Sequence, residues 1–274
     1  MTFCSHSTGD SLRPASLLER ARFSIRTRAM TFDRSILGLG LLAASAFAQT
    51  VVPITSERHH HLVISNEYVR VFHVEVPPRA ETLYHQHNYD YLYVAIGDAD
   101  VTSTRLHENP VTIQLKDGEV ELAKGPFAHK ASNNRNQPFR NVTIELLHGI
   151  GTPICGLAGG EQSCGIGPGM AGGITDASDA RAFAMTSTPL SRSSSLTVHR
   201  VTLEGHANAD LSLWSSGPSL LVPISDVNLT STSQNSTQTI LRHAGVPVWI
   251  PRHQTNLASL SQSAEFILIS WPQQ

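Results

Sequence analysis

An all-β fold, a sandwich or barrel that occurs twice, is the class this sequence predicts, and three observations carry it. Short runs rich in Val, Ile, Leu and Tyr alternate with clusters of Gly, Pro, Asn and Asp, the spacing of strands and turns in such folds. No stretch beyond residue 49 keeps the long, clean 3.6-residue period of a helix. The second half then repeats the first in order. Val94-Ala95-Ile96-Gly97-Asp98 lines up with Val222-Pro223-Ile224-Ser225-Asp226, and Phe266 to Trp271 matches Val142 to Leu147.

With 274 residues the chain has room for one large or two small domains. Its 20 Lys and Arg nearly balance its 22 Asp and Glu, leaving a formal net charge of -2. Neither nucleic acid nor an anionic membrane is therefore expected as a partner. A small-molecule ligand or substrate is expected, and pairing of two copies into a homodimer is a further expectation.

The first segment, residues 1–48, reads as an export signal with an upstream extension. Arg34 precedes an apolar stretch from Ile36 to Ala44, and Ala46-Phe47-Ala48 supplies the small-x-small cleavage pattern. That stretch is short for a bilayer span. Met30 stands where such a signal would begin, and the secreted or periplasmic protein would start at Gln49. Gly38-x-Gly40-x-x-Ala43 imitates a dinucleotide fingerprint but follows no strand, so it is discarded.

Residues 49–148 hold the first set of strands. His59, His60 and His61 run directly into Leu62-Val63-Ile64, which predicts a strand edge near a barrel mouth with no metal role for these three. Strands are then expected over Tyr68 to Val76, Tyr91 to Ile96, Val111 to Leu115, Val120 to Ala123 and Val142 to Leu147.

Residues 149–195 read as a connection, Gly-rich at first and then Ser/Thr-rich from Thr186 to Ser195. They contain Cys155 and Cys164, and Cys4 would leave with the leader. In an oxidising compartment an even pair favours a disulfide over two free thiols. Neither cysteine has the C-x-x-C spacing of a zinc or redox site. Residues 196–274 hold the second set of strands, with Gly245-x5-Pro251 near its end.

Chemistry concentrates in three histidines. On a strand, residues i and i+2 share a face, so His85 and His87 aim both imidazoles the same way. His129 comes from a later strand facing the same interior. Three converging neutral imidazoles make a metal site with positions left for water or substrate; a purely structural histidine cluster is the alternative.

These residues resemble the motifs of the cupin superfamily, G-x5-H-x-H-x(3,4)-E-x6-G and G-x5-P-x-G-x2-H-x3-N. Gly118, His129 and Asn133 match the second, with Lys124 and Pro126 at its proline and second glycine. His85, His87 and Gly97 match the first, with Arg79 at its leading glycine. Counting back from Gly97 puts Asp90 on the acidic position; counting forward from His87 leaves the loop one residue short and turns Tyr91 inward unless a bulge intervenes.

The resemblance implies two double-stranded β-helix (jelly-roll) barrels in tandem, the first competent for a metal and the second degenerate. It implies His85, His87 and His129 as ligands, with Asp90 as a fourth, of a divalent transition metal: Fe, Mn, Ni, Cu or Zn. At the matching places the second half has Leu213, Ser215 and Asn256. It also implies a dioxygenase-type enzyme acting on a small organic molecule, or instead a non-catalytic binder of a small ligand such as a sugar. Tyr91 and Tyr93 share strand parity with the histidines, so their phenols would line the cavity or simply pack in it.

Overall fold

The computed structural model describes residues 50–156, 185–214, 216–234, 236–254, 256–260 and 263–272. The expected leader and Cys164 lie outside them. Ala48–Gln274 forms one compact unit, and the regular secondary structure of its described part is nearly all strand.

The first ten strands, in chain order, are β1 (Val52–Pro53), β2 (His60–Ser65), β3 (Val69–Val76), β4 (His85–His87), β5 (Tyr91–Ile96), β6 (Ala99–Arg105), β7 (Val111–Leu115), β8 (Val120–Ala123), β9 (Phe127–Asn133) and β10 (Phe139–Leu146). They form two five-stranded sheets, ordered β1-β4-β9-β6-β7 and β2-β3-β10-β5-β8. Gly118, in the turn between β7 and β8, has φ +72°, a conformation that side chains rarely adopt. A Cβ on Gly125 would lie 2.5 Å from the Tyr89 carbonyl oxygen, so the chain turns there only without one.

The second ten are β11 (Pro153–Gly156), β12 (Met185–Ser193), β13 (Thr197–Leu203), β14 (Asn208–Asp210), β15 (Ser219–Pro223), β16 (Val227–Thr232), β17 (Thr237–Arg242), β18 (Val248–Ile250), β19 (Asn256–Ser259) and β20 (Ala264–Ser270). Their sheets run β11-β12-β13-β20-β15-β18 and β14-β19-β16-β17. The order repeats that of the first half: β13, β20 and β15 take the places of β3, β10 and β5, and β14 and β19 those of β4 and β9.

Two expectations are corrected. Thr186 to Ser195 is not a surface connection: nearly all of it lies in β12, paired along β13 with a register shift between Pro189 and Ser191. Its β-branched threonines suit a strand, and the irregular pairing accommodates a proline that cannot donate to the ladder. The second correction concerns offsets in the repeat. The strand matching His85–His87 is Asn208–Asp210, while Leu213 falls in a 3-10 turn (Leu211–Leu213) and Ser215 lies outside the described residues.

β10 is buried at every position but Arg140, because both of its faces are covered. Val142, Ile144 and Leu146 point one way and pack with Val69, Val71, Leu92 and Val94 against Val198, Leu220, Ile267 and Ile269 of the second half. Each fully buried aliphatic side chain here contributes about 1.5–3 kcal/mol. The other face of β10 presents Asn141 and Thr143 to a cavity inside the first barrel. In β20 the same alternation sends Phe266 and Leu268 into the second barrel's own core.

Candidate metal centre

β4 carries His85 and His87 with Gln86 between them, so both imidazoles enter the interior and both are 1% exposed. β9 runs antiparallel beside it and sets His129 opposite His85, which brings the two side chains together on one face. One ligand atom from each of the three histidines lies within 4.8 Å of the others.

The ring separations fit a single ion. A metal–nitrogen bond of about 2.0–2.1 Å puts ring centres about 3.2 Å from the ion, hence about 4.5–5.2 Å apart for bond angles of about 90–110°. The observed separations are 5.0 Å for His85–His87, 4.7 Å for His85–His129 and 5.2 Å for His87–His129.

Two of the three rings are held by a hydrogen bond on the far side, and the third faces a carboxylate. His85 Nδ1 lies 2.9 Å from the Leu83 carbonyl oxygen; that oxygen only accepts, so Nδ1 carries the proton. His85 Nε2 is then bare, buried and without a hydrogen-bond partner. His129 Nδ1 is 3.0 Å from Ser103 Oγ, and His87 Nδ1 is 3.7 Å from Glu145 Oε1.

Burial sets the charge. Desolvation, then the nearby His60 and His87, push the His85 imidazolium down to about 3. Desolvation also lowers His87, against the pull of Glu145. His129 falls well below its ordinary value through burial and the charges of His85 and His87. All three are neutral at neutral pH, the form that ligates metals.

The fourth-ligand expectation is not met by the geometry. Asp90 stands outside the histidine group, where its carboxylate accepts from the Gly125 N–H at 3.1 Å and the Ile150 N–H at 3.4 Å. No bulge resets the parity of β5, so Tyr91 points inward. It lies flat on His87, ring centres 4.0 Å apart and 17° from parallel. Tyr93 follows on the same face, and both line the cavity. Burial raises both phenols, so their hydroxyls stay protonated.

His60 begins an edge strand as expected, and it also lines the cavity, with its ring 4.5 Å from that of His85. Its Nδ1 lies 2.6 Å from Glu57 Oε2. Burial alone would raise the Glu57 carboxyl. Hydrogen bonds from His60 and the His59 N–H, the His60 charge and the Leu83 N–H outweigh that and hold it at about 2.

The cavity encloses about 490 Å³. Val74, Val76, Val101, Ile113 and Phe127 form much of its wall, and Asn141 and Thr143 add polar groups. Arg105 is the register partner of His129 and therefore faces the cavity, its guanidinium 4.2 Å over the Phe127 ring. Among the described residues, His85, His87 and His129 form the one group of three or more potential ligands. In the second barrel the paired Ala209 and Leu257 on β14 and β19 are buried in an apolar core instead.

Sequence reasoning missed Glu57, His60, Ser103, Arg105 and Glu145. One signal was available. Glu145 sits inside the apolar run from Val142 to Leu147, and a charge in such a strand is seldom fully buried without a partner. The others depend on pairings between strands that spacing does not encode.

No family model matches the chain, and no curated protein does. Solved structures do. A cupin domain from Bordetella pertussis Tohama I is similar at 30% identity, with 32% of this chain and 90% of that one covered and a TM-score of 0.30. A variant of salicylate 1,2-dioxygenase from Pseudoaminobacter salicylatoxidans is similar at 9% identity over 78% of this chain and 75% of that one, TM-score 0.51, a likeness of fold alone. A cupin 2 conserved barrel domain protein from Leptotrichia buccalis shares 9% identity over 77% and 88%, TM-score 0.45.

Proposed function

This chain belongs to the cupin superfamily, and from that premise we propose that its first barrel holds a divalent transition metal and uses it for dioxygenase-type conversion of a small organic molecule. The observation that carries this reading is the set of three neutral imidazoles at single-ion separations, two of them held by a hydrogen bond from behind. The all-nitrogen donor set suits Fe, Mn, Ni, Cu or Zn and does not choose among them. When bound, the ion supplies a Lewis-acid template for a phenolate or enolate and dioxygen.

The remaining work falls to the chain's own residues. The apolar wall excludes water from the reacting groups and strengthens electrostatic contacts inside. Tyr91 and Tyr93, kept protonated, donate hydrogen bonds rather than charge. Arg105 places a cation on the His129 side of the cavity, which favours a substrate with an anionic group.

Binding without turnover is the second reading. Arg105, Asn141 and Thr143 would orient a small ligand whether or not chemistry follows. Metal analysis of untagged protein, then an oxygen-uptake screen over small phenols and β-diketones, tests the two. Uptake that His129→Ala abolishes supports the enzyme. Ligand binding with no uptake in any metal form supports the binder.

Export with cleavage after Ala48 and a Cys155–Cys164 bridge belong to the same proposal. Intact mass of the exported protein should begin at Gln49 and lie two hydrogens below the reduced form. A start elsewhere, or two alkylatable thiols, would remove that part.

A further inference from the structure

Glu145 is a buried charge that the three-histidine centre leaves unexplained. It points into the first barrel with Asn141 and Thr143, its side chain fully buried and neither oxygen in a well-formed hydrogen bond. The Arg70 guanidinium lies 2.5 Å from Oε2, and Oε1 faces His87 Nδ1 at 3.7 Å. Register explains the grouping: Glu145 stands opposite Arg70 on β3 and opposite Tyr91 on β5. Arg70, Glu145 and Tyr91 thus form one row across the sheet, and His87 meets that row from the facing sheet.

A buried carboxylate costs several kcal/mol unless its oxygens are compensated. Arg70 compensates one of them. The other is directed at the one ligand ring that has no neutral acceptor behind it, since His85 has Leu83 O and His129 has Ser103 Oγ. Asp90 supplies no acid to the centre, being engaged by two backbone N–H groups.

We propose that Glu145 is the positioning residue for His87. Its Oε1 accepts the His87 Nδ1–H and so fixes the tautomer that leaves Nε2 bare and turned toward the metal, while Arg70 anchors the carboxylate from behind. The inference rests on the metal-centre reading above. A ring shift of under about 1 Å closes the 3.7 Å separation to hydrogen-bond length. An imidazole backed by a carboxylate is held in orientation and is a stronger donor than one backed by a neutral oxygen.

The test uses the full chain without a tag, loaded with Co(II). Two forms are compared with the parent: Glu145→Gln, and Arg70→Met combined with Glu145→Leu. The double form replaces the ion pair with apolar groups, which keeps the fold from being penalised by one lone buried charge. Three readouts are taken: the Co(II) dissociation constant by chelator competition, the d–d absorption spectrum, and the imidazole nitrogen shifts of His87 in chelator-treated protein.

The expected result is Co(II) binding weakened about 10–100-fold in the double form, with an altered d–d spectrum and mixed His87 tautomers. Glu145→Gln, whose amide oxygen still accepts Nδ1–H, should recover part of the affinity. A folded double form with parental affinity, spectrum and tautomer would make Glu145 merely Arg70's partner and overturn the inference. If the parent itself takes up no Co(II), the metal-centre reading fails and this inference with it.

Discussion

Tyr91 lies flat against His87, 4.0 Å between ring centres and 17° from parallel, at the place where one strand register of the motif would have put an acid. The phenol ring braces the His87 imidazole and adds no acid to the histidine group. Tyr91→Phe keeps the ring and should leave metal affinity within about twofold, because stacking resides in the ring's π-face. Tyr91→Ala removes the brace and opens a cavity. It should cost about 3–5 kcal/mol in urea unfolding, with a measurable loss of metal affinity.

The three histidines and Asp90 should separate cleanly in metal stoichiometry. His85→Ala, His87→Ala or His129→Ala should each weaken metal binding by more than about 100-fold, beyond what loss of an outer partner causes. Full occupancy in the His129→Ala protein would sink the assignment. Asp90→Asn should be silent for metal and cost about 0.5–1.5 kcal/mol of stability, since the amide retains only one acceptor for the Gly125 and Ile150 N–H groups.

Chelator-stripped protein should lose stability as the pH falls below about 6.5. Burial holds His85 at about 3 and His199 at about 4. Between those values and 6.5 the unfolded chain binds protons that the folded one refuses. Their neutral burial therefore costs nothing above pH 6.5, and stability falls progressively below it, by up to about 1.4 kcal/mol per pH unit for His85. Glu57, held at about 2, contributes stability that is present above about 4.5 and lost as the pH drops toward 2. Urea midpoints should be level from pH 8 to 7 and fall steadily from 6 to 4. Equal midpoints at pH 7 and pH 5 would contradict the buried, neutral state of these rings.

A fragment ending before β12 should be unstable although it keeps every proposed ligand. Val69, Val71, Leu92, Val94, Val142 and Ile144 would lose their cover from Leu220, Ile267 and Ile269 and present a broad apolar sheet to water. Size-exclusion chromatography should show association, and thermal unfolding a lower midpoint. A monomeric fragment as stable as the whole would make the second barrel an independent module.

The short strands and the repeated order were legible in the sequence, because alternation with period two and turn residues are local properties. So was the common face of His85 and His87, which needs only strand parity. Sequence also placed Tyr91 inward in one of its two registers for the motif loop. It left open whether a bulge would bring Asp90 in instead, since a bulge depends on how β5 pairs with β10 and β8.

What only the tertiary structure decided are relations between strands distant in the chain. That Glu145 meets His87, that Ser103 backs His129 and that His60 joins the cavity wall all follow from sheet order and facing. No spacing rule predicts them, because the residues involved approach through the barrel interior rather than along the chain. The strand character of β12 was hidden for a related reason. Its serines and threonines look like those of a linker until β13 supplies the partner groups that make an extended chain stable there.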